Sequence, residues 1–160
     1  MKSLRYITKD NKSPRKRPKV YFCAHPEDMN KYLEEISSDI LKKQPGVTIW
    51  YDDGSFRKNC NQEEREFTLS EMQMFVMPIT KKLLSGPNDG LEDFRFATEN
   101  KIPVLPLIQE SGLEIEFNKV CGNIQFLDKN SKDLTAISYV SVGLLVKPLV
   151  FSSVTNTTTL

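Results

Sequence analysis

Glu92 and Asp93 stand side by side immediately before the segment Phe94 to Leu107, FRFATENKIPVLPL, which reads as the end of a helix, a turn and a short buried strand. A fixed carboxylate can stabilise a developing positive charge. Acids in a helix's first turn are also favoured by the macrodipole alone, by roughly 0.3–1 kcal/mol. Other residues able to do chemistry are few. His25 is the only histidine, so metal sites built on several imidazoles are excluded, and no second histidine can serve as acid or base. Cys23, Cys60 and Cys121 are odd in number, far apart and without a C-x-x-C pair. That spacing argues against a disulfide framework or a zinc knuckle and for a reducing, cytoplasmic setting. Asp52 and Asp53 open a turn at Gly54, where their carboxylates can make Asx hydrogen bonds or face a site. Trp50 and Tyr51 just before them can stack on a flat ring, although large aromatics in strands more often belong to the core.

The elements that must position these residues alternate. Lys19 to Ala24, KVYFCA, is a short apolar run suited to a strand buried on both faces. Pro26 fits a first helical position, with Glu27 and Asp28 in the positive first turn. Met29, Tyr32, Leu33, Ile36, Ile40 and Leu41 then form one apolar stripe, ended by Pro45-Gly46. Val47 to Tyr51 is a second strand. The polar stretch Asp52 to Gln62 reads as an exposed, mobile loop. Glu63 to Ser70 is a weak helix with Phe67 and Leu69 turned inward, and Met72 to Ile79 is a third strand. Thr80 can cap the segment Lys81 to Ser85. A helix starts around Leu91. Ile102 to Ile108 is a fourth strand, made short or irregular by Pro103 and Pro106. Gln109 to Val120 is a loop with about one helical turn, and Ile124 to Leu127 is a fifth strand.

Strands alternating with helices pair in parallel, because each crossover carries the chain back to the same edge. The expected class is therefore α/β, a five-stranded parallel sheet with helices on both faces. Ligands in such sheets bind outside the carboxyl ends of the strands, where strand order reverses. That rule selects Cys23, Ala24 and His25, the turn Asp52 to Phe56, and the segment after Ile79, including Thr80. At 160 residues one domain is expected, spanning 19–150. A flexible basic leader over 1–18 would precede it and a disordered tail over 151–160 would follow. The leader carries Lys2, Arg5, Lys9, Lys12, Arg15, Lys16 and Arg17 against Asp10, and is read as solvated rather than as a nucleic-acid or lipid contact. A net charge of +1 and 39% hydrophobic residues describe a soluble globular protein whose overall charge argues for neither nucleic acid nor an anionic membrane and leaves the partner open. The chain opens without the apolar core of a signal peptide, and no stretch reaches the roughly 20 apolar residues of a membrane span. Tyr139 to Phe151, YVSVGLLVKPLVF, is apolar; it either packs deeply or meets a partner. A receiver domain would need acids after the first strand, where Cys23-Ala24-His25-Pro26 stands. A mononucleotide-binding fold would need a glycine-rich turn there.

The stretches KVYFCAHPED, VTIWYDDG, MQMFVMPIT, FRFATENKIPVLPL and QFLDKNSKDLTAISY, in this order and spacing, resemble a Toll/interleukin-1 receptor (TIR) domain of the bacterial type over roughly residues 18 to 139. The resemblance implies a flavodoxin-like sheet and one of two activities. One is hydrolysis of NAD+ at its nicotinamide–ribose bond, giving ADP-ribose or a cyclic form, often as an anti-phage signal. The other is signalling by self-association alone, here through the loop Asp52 to Gln62 and the apolar C-terminal stretch. Neither activity requires a metal or a bound cofactor; NAD+ enters as substrate. The family's catalytic residue is a glutamate four positions ahead of a small residue. Counting back from Ala97 gives Asp93, and Glu92 lies one position earlier. The resemblance further implies that His25 lines the pocket, where the alternative reading is a cap before Pro26, and that Asp52 and Asp53 start the loop beside it; Thr80 and Ser85 stand where they can border the cleft.

Overall fold

A computed structural model describes residues 3–124 and 127–128. Tyr139 to Phe151 and the tail 151–160 lie outside the described residues. The apolar run after Pro18 becomes strand β2 (Lys19–Phe22), following a first strand, β1 (Arg5–Ile7), set within the basic leader. The Pro26–Asp28 turn is 3-10, and the apolar stripe forms α1 (Met29–Lys43). Next come β3 (Thr48–Tyr51), α2 (Ser55–Asn59), α3 (Gln62–Ser70), β4 (Met74–Ile79) and α4 (Lys81–Leu84). The described chain ends with α5 (Asp89–Glu99), β5 (Val104–Ile108), α6 (Glu114–Cys121) and β6 (Leu127–Asp128).

The sheet order is β1-β3-β2-β4-β5-β6. The five strands from β3 to β6 pair in parallel, with Tyr21 opposite Trp50 on one side and Phe75 on the other. Their order reverses after β2, as in flavodoxin-like sheets. The fold is α/β with a parallel five-stranded sheet, as expected. β1 adds an antiparallel strand to the outer edge of β3, with Tyr6 opposite Trp50. The leader is therefore not wholly flexible: Leu4 and Thr8 are buried and Arg5–Ile7 is a strand. Pro106 sits in β5 where only β4 is paired with it, and Pro78 lies in β4 beyond its pairing with β2, so neither missing amide breaks a central ladder.

Alternation along the strands supplies two cores. Val20, Phe22, Ile49, Met74, Val76 and Leu105 face α1 and its Tyr32, Ile36, Ile40 and Leu41. Tyr21, Cys23, Phe75, Met77 and Ile108 face the opposite way, toward Phe56, Leu69, Leu83, Phe94 and Phe117 of the other helices. Three local expectations are corrected. The loop after β3 folds into α2, because both Asp52 oxygens take up amides at its start and Phe56 is buried. Phe67 points outward and is 68% exposed, leaving Leu69 to anchor α3. The loop expected over Gln109 to Val120 is largely the two-turn helix α6, which runs on to Cys121 and is held by Phe117.

Candidate functional site

A cleft of about 360 Å³ opens at the carboxyl ends of β2 and β3. Its apolar side comes from Phe22, Ala24, Met29 and Leu33, and its polar side from Asp52, Asp53, Arg57, Asp89 and Asp93. The volume lies at the low end of small-molecule sites, which run from about 300 to 1,000 Å³.

The two adjacent acids separate. α5 begins at Asp89, capped by the Asn88 side chain, which accepts from the Leu91 amide at 3.1 Å. That register turns Asp93 inward, leaving it 5% exposed and lining the cleft. Glu92 projects outward with 57% of its side chain exposed, and Arg65 holds it at 2.6 Å. The position counted from Ala97 is thus the one that faces the cleft.

Asp93 is not free. The Tyr21 hydroxyl donates to its Oδ2 at 3.1 Å, and Arg57 Nη2 donates to Oδ1 at 2.5 Å. Arg57 also reaches Asp89 Oδ2 with Nε at 3.3 Å and Glu92 Oε1 with Nη1 at 3.4 Å. Its side chain is 17% exposed. Burial pushes the Asp93 carboxyl above the ordinary carboxylate range, and the charges and hydrogen bonds of Arg57 and Tyr21 pull it back only in part. At Arg57 burial acts to lower the pKa, but the charge and hydrogen bond of Asp93, followed by Asp89, outweigh it and hold the guanidinium charged. Burial, then the Asp93 charge, raises the Tyr21 phenol well above its usual value, so it remains a donor.

The other expected site residues divide. Ala24, Asp52 and Asp53 line the cleft. Asp52 accepts from the amides of Gly54, Phe56 and Arg57 at 2.8–3.1 Å, fixing the start of α2. Asp53 accepts from the Ser55 hydroxyl and amide and from Arg5, contacts that hold its carboxyl well below the usual range. Both acids therefore also serve as turn residues. Cys23 and Trp50 belong to the core between the sheet and α2, α3 and α5 rather than to the lining. The Cys23 thiol donates to the Gly90 carbonyl at 3.2 Å, and burial, then the Asp93 charge, raises it well above its usual pKa, so it is no nucleophile. Trp50 instead packs against Tyr6, the rings tilted by 52° with centroids 5.2 Å apart. His25 caps the turn after β2, its Nδ1 accepting from the Glu27 amide at 3.0 Å. Thr80 caps α4 and donates to the buried Asp28 at 2.5 Å. The Ser85 hydroxyl is engaged with the Lys81 carbonyl.

Sequence reasoning missed Arg57. It stands three positions after Gly54 in a stretch read as a loop. The signal available was Asp52 followed by Phe56: an acid that can cap, ahead of a lone aromatic that must be buried, marks a helical turn that would carry the next residue toward α5.

The sequence matches no family model and no curated protein.

Proposed function

We propose that the protein hydrolyses NAD+ at the nicotinamide–ribose bond, with Asp93 as the working carboxylate. The observation that carries this reading is the inward turn of Asp93 into a cleft at the carboxyl edge of a parallel sheet. The reaction suits one acid. The bond joins a cationic ring to the anomeric carbon. Its electron pair leaves with nicotinamide, which departs neutral and needs no general acid. Asp93 stabilises the oxocarbenium-like centre by its charge. Water adds at the anomeric carbon and loses its proton to the carboxylate or to solvent, giving ADP-ribose; attack by a group of the substrate itself gives a cyclic product. The cleft takes a nucleoside-sized portion, so the remainder of the dinucleotide lies over its rim.

The purified protein at high concentration is expected to release nicotinamide from NAD+. Asp93→Asn should lower turnover about a hundredfold or more, while Glu92→Gln retains it. Absence of turnover in wild type, or equal turnover in D93N, overturns the reading.

A non-enzymatic interaction module is the second reading, favoured by one observation: both Asp93 oxygens already hold protein donors. In that case α2 and the residues from Asp52 to Gln62, with the apolar C-terminal stretch, form the self-association surface. Turnover separates the readings, since self-association fits both.

A further inference from the structure

We infer that the substrate exchanges with the Arg57–Asp93 ion pair charge for charge, which makes Arg57 the residue that selects a phosphorylated pyridinium nucleotide. The inference rests on reading the cleft as the hydrolytic site. Among the described residues lining the cleft, Arg57 is the only cation, against the four carboxylates Asp52, Asp53, Asp89 and Asp93. A phosphate entering this cleft has one cationic side chain available to it among the described lining residues. That partner is engaged: Nη2 is on Asp93 at 2.5 Å, and the other guanidinium nitrogens lean on Asp89 and Glu92 at 3.3 and 3.4 Å. A phosphate that takes the guanidinium fork bidentately, using Nη2, displaces Asp93 from that nitrogen. Binding the anion therefore withdraws Arg57 from the carboxylate.

An uncompensated carboxylate at 5% exposure would be costly. A pyridinium nucleoside brings its own cation to that position, so Asp93 trades a guanidinium for the ribosyl-pyridinium and Arg57 trades a carboxylate for a phosphate. A zwitterionic nucleotide satisfies both exchanges, while a cationic nucleoside satisfies only one and leaves Arg57 in place. The exchange requires no displacement of α2. Phe56 is buried beneath the helix, and the rim acid Asp89, with 49% of its side chain exposed, already touches Arg57 and can follow its head outward while Glu92 stays on Arg65.

Two measurements test this. In the first, kcat/KM is compared for nicotinamide mononucleotide and nicotinamide riboside, which differ by one phosphate. Wild type is expected to favour the mononucleotide by about tenfold or more, and Arg57→Ala to collapse that ratio by gaining on the riboside and losing on the mononucleotide. A ratio unchanged in R57A, or equal losses on both substrates, overturns the inference. Arg57→Lys, which keeps the charge without the fork, should fall between. The second measurement needs no turnover: ADP-ribose, which carries the phosphates without the cation, is titrated calorimetrically. Asp93→Asn frees Arg57 and should tighten ADP-ribose binding several-fold, whereas Arg57→Ala should weaken it about tenfold. Weaker or unchanged binding in D93N overturns the exchange even where hydrolysis is observed. The expected binding pattern without any turnover instead leaves the exchange standing and removes the hydrolase reading.

Discussion

Asp93 is where opposing effects meet, and pH separates them. Burial raises its carboxyl pKa, and Arg57 and Tyr21 offset that only in part. A group that binds its proton more tightly folded than unfolded contributes most to stability below the ordinary carboxylate pKa of about 4, and loses that contribution as pH rises through the raised value. Asp93→Asn removes the titration. Urea unfolding of wild type and D93N between pH 4 and 7 should therefore show the difference in unfolding free energy moving in the variant's favour as pH rises; a flat difference would mean that the carboxyl titrates normally. Tyr21 supplies the companion test. Tyr21→Phe deletes the donor to Oδ2 at a buried position, and should lower stability by about 1.5–3 kcal/mol. An unchanged unfolding midpoint would show that the hydroxyl is dispensable.

The element that sets the site is α5, and its seating depends on Gly90. A Cβ there would lie 2.8 Å from the Ala24 carbonyl carbon and oxygen and 2.6 Å from Leu83 Cδ1. The Ala24 backbone cannot yield as a side chain would, so Gly90→Ala should push the first turn of α5 off the end of β2. The expected cost is about 1–3 kcal/mol, read as a lowered melting temperature, together with a loosened Asp93–Arg57 contact. Wild-type stability in that variant would show that α5 is not seated by this approach. How much of this was legible depends on how each element is encoded. The run at Lys19 to Phe22, the stripe of α1 and the buried Met74–Ile79 announce themselves through periodicity, because their side chains are sorted by core and solvent. The count back from Ala97 lands on Asp93, but the sequence leaves open which of Glu92 and Asp93 turns inward, because the register of α5 that buries Asp93 with Ala97 is set by its cap and packing. α2 was not legible as a helix, since five residues show too little period and its stability comes from the carboxylate of Asp52 and the burial of Phe56. The outward turn of Phe67 likewise depends on how α3 sits on α5, which no local pattern carries.

At the scale of the molecule, the basic leader does more than precede the sheet. β3 would otherwise be an outer strand, with one row of amides and carbonyls open to another chain. β1 covers it through Arg5, Tyr6 and Ile7, and Leu4 is buried in the core that also contains Tyr21 and Phe94. Arg5 further ties this edge to the cleft by its contact with Asp53 at 2.9 Å. Both partners are substantially exposed, so that bond orients the turn after β3 more than it holds the fold. A variant lacking residues 1–8 keeps the five parallel strands but loses the burial of Leu4, about 1.5–3 kcal/mol for such a side chain, and opens the β3 edge. It should unfold at lower urea and associate as concentration rises, seen by light scattering, whereas Arg5→Ala in the full chain should do neither. A truncated protein that stays monodisperse with the wild-type midpoint would show that the leader is dispensable as an edge cover. Association in the truncated form alone would place the control of self-pairing in the segment that composition marked as a solvated leader.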